Sequence, residues 1–352
     1  DSGTVRWGRG ARISVLDPAC GDGVFLACAL ARGVAPARVF GVELDAELAV
    51  RARQQAPGAT VKVGDFLAHE QKMSTIVGNP PYVRHESLSP GMRGAVADCL
   101  RRDWPELCAR EHKTLAARAD LAVAFVAHAL ACLRPGGRLA FVLSQAMFDT
   151  RYGQALCAFL ATRAHVVAVV GSDAERWFDA AAVHTVIVVL SRRGPETAGP
   201  DTWFARLRVP VAEAAARVRG LADLERVARV RRVPAADVFA HAWGPYLRAP
   251  DVWFDVRRAA KDWLVPLGEL ATVRRGMTSG ANSFFYMSAE QAHARAIAAR
   301  FLQPVFKSPR HASTVRIDAA ELPRVFVCAL DEPALASHPG ANSTFPSPSR
   351  SP

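Results

Sequence analysis

RISVLDPACGDGVFLACALARG, residues 12–33, reads as strand, turn and helix in one line. The first eight residues form an apolar strand with an acid, Asp17, near its end. Gly21 and Gly23 supply the turn, and the apolar helix that follows is closed by Gly33. Repeated, such a unit builds a parallel sheet with helices on its faces. The repetition is present up to about residue 192. RVFGVELD (38–45) is a second strand with AELAVRARQQA (46–56) as its helix, and TVKVGDF (60–66) is a third strand. STIVGNPPY (74–82) contains a fourth. DLAVAFVAHALACL (120–133) is a helix with Asp120 as N-cap and Leu121, Phe125 and Cys132 along one face. RPGG (134–137) turns it into the strand RLAFVLS (138–144). HVVAVVG (165–171) and VHTVIVVL (183–190) bring the count to about seven strands, the last pair forming an antiparallel edge. The expected fold is therefore α/β, with a mostly parallel seven-stranded sheet.

SRRGPETAGPD (191–201) is rich in Pro, Gly and polar residues and reads as a linker. A second domain is expected beyond it, opening with a basic helical stretch around 211–231. The boundaries are 1–192 for the first domain, 193–203 for the linker, 204–339 for the second domain and 340–352 for a disordered Ser/Pro tail.

Composition bounds the partners. The 352 residues carry a formal charge of +11, and arginine supplies nearly all of the cation. Guanidinium groups suit phosphate contacts, although an Ala- and Arg-rich composition also follows from gene base content. The charge permits nucleic acid without requiring it. Seven cysteines are scattered without a C-x-x-C pair, which fits a reducing cytoplasm and offers no zinc framework. No metal site is expected. No apolar run reaches the length of a membrane span, so no membrane partner is expected either.

In a doubly wound sheet, ligands bind beyond the carboxyl ends of the strands, and four such ends here are unusual. In LDPACGDGVFL (16–26) the Gly turn presents helix N–H groups to an anion, but Asp17 beside it would repel a pyrophosphate. A zwitterionic amino acid, such as the methionine part of S-adenosyl-L-methionine (SAM), fits better. Glu43, about 20 residues on, stands where an acid accepts ribose hydroxyls; a solvated strand-end charge is the plain alternative. Asp65 and Phe66 could hold an adenine by its amino edge and face, or Asp65 could simply cap a helix. In TIVGNPPYVRHE (75–86), Pro80 and Pro81 fix φ and donate no N–H. Asn79 adds a side-chain carbonyl and Tyr82 a flat face. Two acceptors and a ring are what a planar group bearing an NH2 requires.

DPACGDGVFL, GVELD, GDFL and GNPPYVR, in this order and spacing, resemble the γ-class DNA adenine-N6 methyltransferases of single-chain Type II restriction–modification proteins. The resemblance covers most of residues 12–192, continuing through DLAVAFVAHALACLRPGGRLAFVLSQAMF and ERWFDAAAVHTVIVVLSRR. It extends more thinly to WGPYLRAP, LGELATVRRGMTSGANSFFYM and FLQPVFKSPR, which are similar to the start of a target-recognition domain.

The resemblance implies a Rossmann-like SAM-dependent methyltransferase fold followed by a partial target-recognition domain. It assigns Asp17, Ala19, Gly21 and Gly23 to the methionine part of SAM and Glu43 to its ribose. Asp65 and Phe66 would serve its adenine or the nearby target amine. It makes Asn79, Pro80, Pro81 and Tyr82 the catalytic tip, with Tyr82 and Phe178 stacking on a flipped-out adenine. The implied partner is double-stranded DNA, together with a restriction endonuclease domain or subunit outside this chain. Arg84, Arg274 and Arg275 are candidate DNA contacts, and Arg84, Arg93, Arg101 and Arg102 lie in a loop (83–119) expected to close over the base. His112, His128 and His184 read as isolated structural or surface groups. Little precedes Arg12, and the resemblance to the recognition domain stops before the tail, so the chain reads as truncated at both ends. Two alternatives remain open: a methyltransferase for a protein glutamine amide, which uses a similar tip, and an inactive DNA-binding remnant. RNA base methylation is a weaker rival.

Overall fold

The computed structural model describes residues 13–116, 120–149, 151–178, 184–193, 199–239, 242–272, 281–308, 317–319, 322–330, 334 and 337–338. The chain divides into two compact units, Asp1–Lys261 and Asp262–Pro352.

The first unit is built on a nine-stranded sheet. Its strands are β1 (Val15–Asp17), β2 (Val39–Glu43), β3 (Thr60–Val63), β4 (Met73–Gly78), β5 (Leu133–Ser144), β6 (Ala164–Ser172), β7 (Thr185–Arg192), β8 (Thr202–Leu207) and β9 (Ala228–Val233). The order across the sheet is β3-β2-β1-β4-β5-β7-β6-β8-β9. β1 to β5 are parallel, and β7 runs antiparallel between β5 and β6. Helices α1 (Val24–Ala31), α2 (Ala46–Gln55), α3 (Pro90–Asp103), α4 (Ala109–Ala116), α5 (Leu121–Cys132) and α6 (Arg151–Arg163) connect them. The result is an α/β fold on a mainly parallel sheet, as expected, with two strands more than the sequence suggested.

Local chemistry sets the helix starts. Asp45 caps α2 by accepting from the amides of Glu47 and Leu48, and Ser89 caps α3 ahead of Pro90. Asp120 stands at the N-cap of α5 as expected, but that helix has no single apolar face. All twelve of its residues are buried, because it packs against β5 on one side and against α3 and α4 on others. Its many alanines keep it thin enough for that place.

Several expectations change. β7 is an interior strand, its backbone paired antiparallel with β5 on one edge and with β6 on the other. The stretch expected to be a linker leads directly into β8, which pairs in parallel with β6, and β9 closes the sheet antiparallel to β8. TWFARL carries the β-favouring residues Thr202, Trp203 and Phe204, and the Pro/Gly-rich run before it masks this. The basic stretch expected as one helix is α7 (Val211–Arg217), a 3-10 turn, α8 (Leu224–Val227) and then β9. Its arginines are engaged within the fold. Arg229 donates to the Leu247 and Ala249 carbonyls at 2.9 and 3.0 Å, and Arg231 pairs with Asp251 and lies over the Phe254 ring. Arg232 bonds Glu225 and lies over Trp203.

WGPYLRAP also belongs to the first unit. Trp243 is fully buried, stacked on Phe148 with ring centroids 4.5 Å apart. The helix it opens, α9 (Gly244–Arg248), is pinned by Arg248 to Asp149 at 2.8 Å. Helix α10 (Asp251–Ala259) follows. The boundary between units therefore lies at Lys261, about sixty residues beyond the linker read from the sequence.

The second unit contains short helices α11 (Leu267–Leu270), α12 (Asn282–Phe285) and α13 (Ala289–Ala294). Its three-stranded antiparallel sheet runs β10 (Tyr286–Met287), β12 (Arg324–Phe326), β11 (Leu302–Pro304) in space. Met287, Ala292, Ile297, Phe301 and Phe326 form its core. No helix among the described residues is long and apolar enough to cross a membrane.

Candidate active site

Because β1 to β4 are parallel, their carboxyl ends share one edge, and the chain reverses direction across the sheet between β1 and β4. Such a switch point opens a crevice. Along that edge stand Asp65 just beyond β3, Glu43 on β2, Asp17 on β1 and Asn79 just beyond β4. Three strand spacings separate the first from the last, about 14 Å, the scale of a nucleoside joined to an amino acid.

Asp17 is 1% exposed. Its Oδ1 accepts from the Ala19 amide at 3.2 Å, which folds the turn back over the strand end. Burial, with a smaller contribution from Glu43, pushes its carboxyl up to about 7, and the Ala19 bond only partly offsets this. The carboxylate thus lies beneath the turn and organises it. Gly78 makes room for it, since a Cβ there would stand 2.6 Å from Asp17 Oδ1. The same burial and acidic neighbours push the Cys20 thiol up to about 12, so it stays protonated.

The turn itself needs glycine. Gly21 and Gly23 have φ of 53° and 97°, and a Cβ on Gly23 would come within 2.9 Å of Ala52 Cα. At Gly21 the same direction is open space. Glu43 grips this turn, its Oε2 accepting from the Gly21 amide at 2.8 Å and its Oε1 from Asp45 at 2.9 Å. Each oxygen keeps a second lone pair for an incoming hydroxyl.

Asp65 is exposed and its Oδ1 caps the 3-10 turn Phe66–Ala68 through the Leu67 amide at 2.9 Å. Both readings of this acid, cap and ligand-facing group, are compatible with that position. Phe66 is different. Its ring is 2% exposed and packs against Phe125 and His128 at centroid distances of 5.1 and 4.5 Å. It is a core residue, so its face is not open to an adenine, because the apolar ring lies under α5.

At the end of β4, Pro80 is buried and Asn79 half-buried. The Tyr82 hydroxyl reaches the Asn79 Oδ1 at 2.7 Å and the Val142 carbonyl at 2.8 Å. The ring remains 43% exposed. A tyrosine held by its tip with its face open is a platform for a planar group. Its hydroxyl is pushed up to about 12 by burial, so it acts as a donor rather than a base. Phe178, 39% exposed, follows β6 in the loop leading toward β7. A recess whose lining includes Trp177, His184 and Arg206 lies in that region.

The expected closing loop is largely helical, containing α3 and α4. Arg93 donates to the Leu88 carbonyl, Arg101 pairs with Asp98, and Arg102 bonds Asp103 and the Leu67 carbonyl. Arg84 is exposed. Arg274 and Arg275 lie outside the described residues. One cluster escaped the sequence reading. Cys99, Asp103 and His128 bring ligand-type atoms within 4.8 Å of one another, and the signal was available as i, i+4 pairs on two helices, Cys99 with Asp103 and His128 with Cys132.

Residues 45–178 match the model of the Eco57I restriction-modification methylase family. The chain is 28% identical over 298 residues to the Type II methyltransferase M.XamI of Xanthomonas campestris pv. amaranthicola, covering 79% of this chain and 49% of that protein. It is 30% identical over 134 residues to the Type II methyltransferase M.PaeR7I of Pseudomonas aeruginosa, covering 37% of this chain and 21% of that protein. Among solved structures it is similar to the Type IIL restriction-modification enzyme MmeI in complex with DNA. The TM-score is 0.58 at 15% identity, over 95% of this chain and 47% of that one. The chain thus spans about half the length, or less, of these relatives. The segment that matches the Eco57I restriction-modification methylase model runs from just after β2 to Phe178 and includes the Asp65 and Asn79–Tyr82 strand ends.

Proposed function

We propose that this chain is the catalytic portion of a restriction–modification DNA methyltransferase that methylates N6 of adenine, with SAM as methyl donor. The observation that carries this reading is the tip of β4: Asn79 Oδ1 and the Tyr82 hydroxyl 2.7 Å apart, beside an exposed Tyr82 ring. Double-stranded DNA is the proposed substrate, and a restriction endonuclease domain or subunit the proposed companion.

The residues at the strand ends fit SAM. The Gly21–Gly23 turn would take its methionine part, with Asp17 beneath, Glu43 its ribose and the exposed Asp65 its adenine. When bound, it supplies an electrophilic methyl group. What this chain adds is position and polarity. The N6 lone pair of adenine is delocalised into the ring. Two acceptors, Asn79 Oδ1 and the Pro80 carbonyl, would take its two hydrogens and turn the lone pair out of the ring plane. Asn79 Oδ1 has a second lone pair for this beside its bond to Tyr82. A duplex hides N6, so the base must leave the stack, and the Tyr82 face, with Phe178 near the same edge, would receive it. The second unit is proposed to take part in target recognition.

The test is transfer of labelled methyl groups from SAM to plasmid DNA, to RNA and to a glutamine-bearing release factor. Label recovered as N6-methyladenine in DNA, and lost in Asn79→Ala, is expected. Label in protein alone, or on cytosine, overturns the reading.

A further inference from the structure

Away from the strand ends, α3 and α5 bury a polar cluster that the proposed chemistry does not use. His128 on α5 is 1% exposed. Its Nδ1 lies 2.5 Å from Asp103 Oδ2 on α3, and its Nε2 lies 2.9 Å from the Phe66 carbonyl. Both partners can only accept when Asp103 is ionised, so the ring presents two N–H groups, as an imidazolium does. Asp103 Oδ1 accepts from Arg102 Nε at 3.0 Å, and the Arg102 Nη2 continues to the Leu67 carbonyl at 2.9 Å. Burial pushes the Asp103 carboxyl up, but His128 and Arg102 more than offset it and hold it below the ordinary carboxylate value. Cys99, Cys132 and His69 complete the surroundings of the ring.

A metal ion could in principle stand where this proton stands. Three distances and two thiols decide against it. Two atoms bound tetrahedrally to one zinc at about 2.0 Å are roughly 3.3 Å apart, well beyond the 2.5 Å between Nδ1 and Oδ2. The Arg102 guanidinium sits 3.4 Å from Nδ1 and 3.5 Å from Cys99 Sγ, a fixed positive charge at the spot where a cation would gather its ligands. Burial also pushes both thiols up, Cys132 to about 12, away from the thiolate a metal needs.

The clamp acts on one short segment. The carbonyls of Phe66 and Leu67 are its two backbone anchors, and they follow directly on Asp65, the exposed acid at the end of β3. We propose that His128, as an imidazolium held between Asp103 and the Phe66 carbonyl, is a positioning residue that fixes the Asp65 end of the site for the adenine part of SAM. This rests on the SAM-dependent reading of the site. It ties α3, which follows the Tyr82 loop, to the cofactor end of the sheet through one ring.

Two measurements test it on the full chain. Ring-labelled histidine 15N spectra at pH 7 should place both His128 nitrogens in the protonated range. In Asp103→Asn one nitrogen should move to the unprotonated range. SAM dissociation constants should rise roughly tenfold in Asp103→Asn and in His128→Gln, the loss of a hydrogen bond to a charged group. Leu130→Ala, on the same buried helix but outside the cluster, supplies a variant of comparable thermal destabilisation and should leave the constant within about twofold. A neutral His128 ring in the native protein overturns the clamp, as does an equal loss of SAM affinity in Leu130→Ala. Stoichiometric zinc that survives dialysis against a chelator and is lost in Asp103→Asn also overturns it. If the native protein binds no SAM, the proposed function falls, and the clamp is judged on its ring signals alone.

Discussion

Asp17→Asn tests the buried acid at the heart of the Gly turn. Burial raises its carboxyl from 3.8 to about 7, roughly three units, or about 4 kcal/mol of preference for the neutral form. Between those two values the folded protein holds a proton that the unfolded chain has released. Folding therefore takes up a proton, and this group lowers stability by about 1.4 kcal/mol per pH unit until about pH 7, above which the loss levels off. Asparagine is isosteric, stays neutral and keeps an oxygen for the Ala19 amide. Its stabilisation relative to the native protein should grow by about 3 kcal/mol from pH 5 to pH 8, two units of slope. For a domain of this size that is on the order of 10 °C in Tm. Thermal unfolding of both proteins at pH 5, 6, 7 and 8 measures it. Parallel curves across that range would refute the account of Asp17 as a buried, mostly protonated acid, as would an asparagine variant less stable at pH 8. The same variant should bind SAM more weakly while being more stable, the usual exchange where a site keeps an unfavourable group for its ligand.

Other perturbations follow from single contacts. Gly78→Ala places a methyl 2.6 Å from Asp17 Oδ1 and 3.2 Å from Pro18 Cδ, so denaturant titration should show a loss of about 1–3 kcal/mol together with loss of SAM binding. Tyr82→Phe removes the hydroxyl bonded to Asn79 and Val142 but keeps the ring. DNA methylation should fall by about tenfold or less, against about a hundredfold or more in Tyr82→Ala, whose stacking face is gone; equal losses in a methyl-transfer assay would remove the platform role. Arg84→Ala should weaken DNA binding and reduce the slope of log affinity against log salt by about one. An unchanged slope shows that Arg84 touches no phosphate.

The seven strands up to residue 192, the helices that follow β1 and β2 and the one before β5, and the acids, glycines and Asn-Pro-Pro-Tyr tip at the strand ends are legible in the sequence alone, unlike α3, α4 and α6. These are local properties: a two-residue period, a Gly turn and a Pro-fixed backbone are written in neighbouring residues. Which of these residues is exposed and which is covered follows from tertiary packing. Asp17 and Phe66 sit at strand ends like Glu43 and Asp65, yet they are buried, because the Gly turn covers one and α5 the other. β8 and β9 join the sheet because a strand's backbone pairs with whatever edge its surroundings expose, a long-range choice that a Pro/Gly run before it conceals. The basic stretch spends its arginines on Asp251, Glu225, backbone carbonyls and aromatic faces for the same reason. His128 gains its partners from α3 and from the turn after β3, twenty-five and sixty-two residues away. Spacing along one chain gives the period of a helix, while burial and hydrogen-bond partners depend on which helix lies opposite.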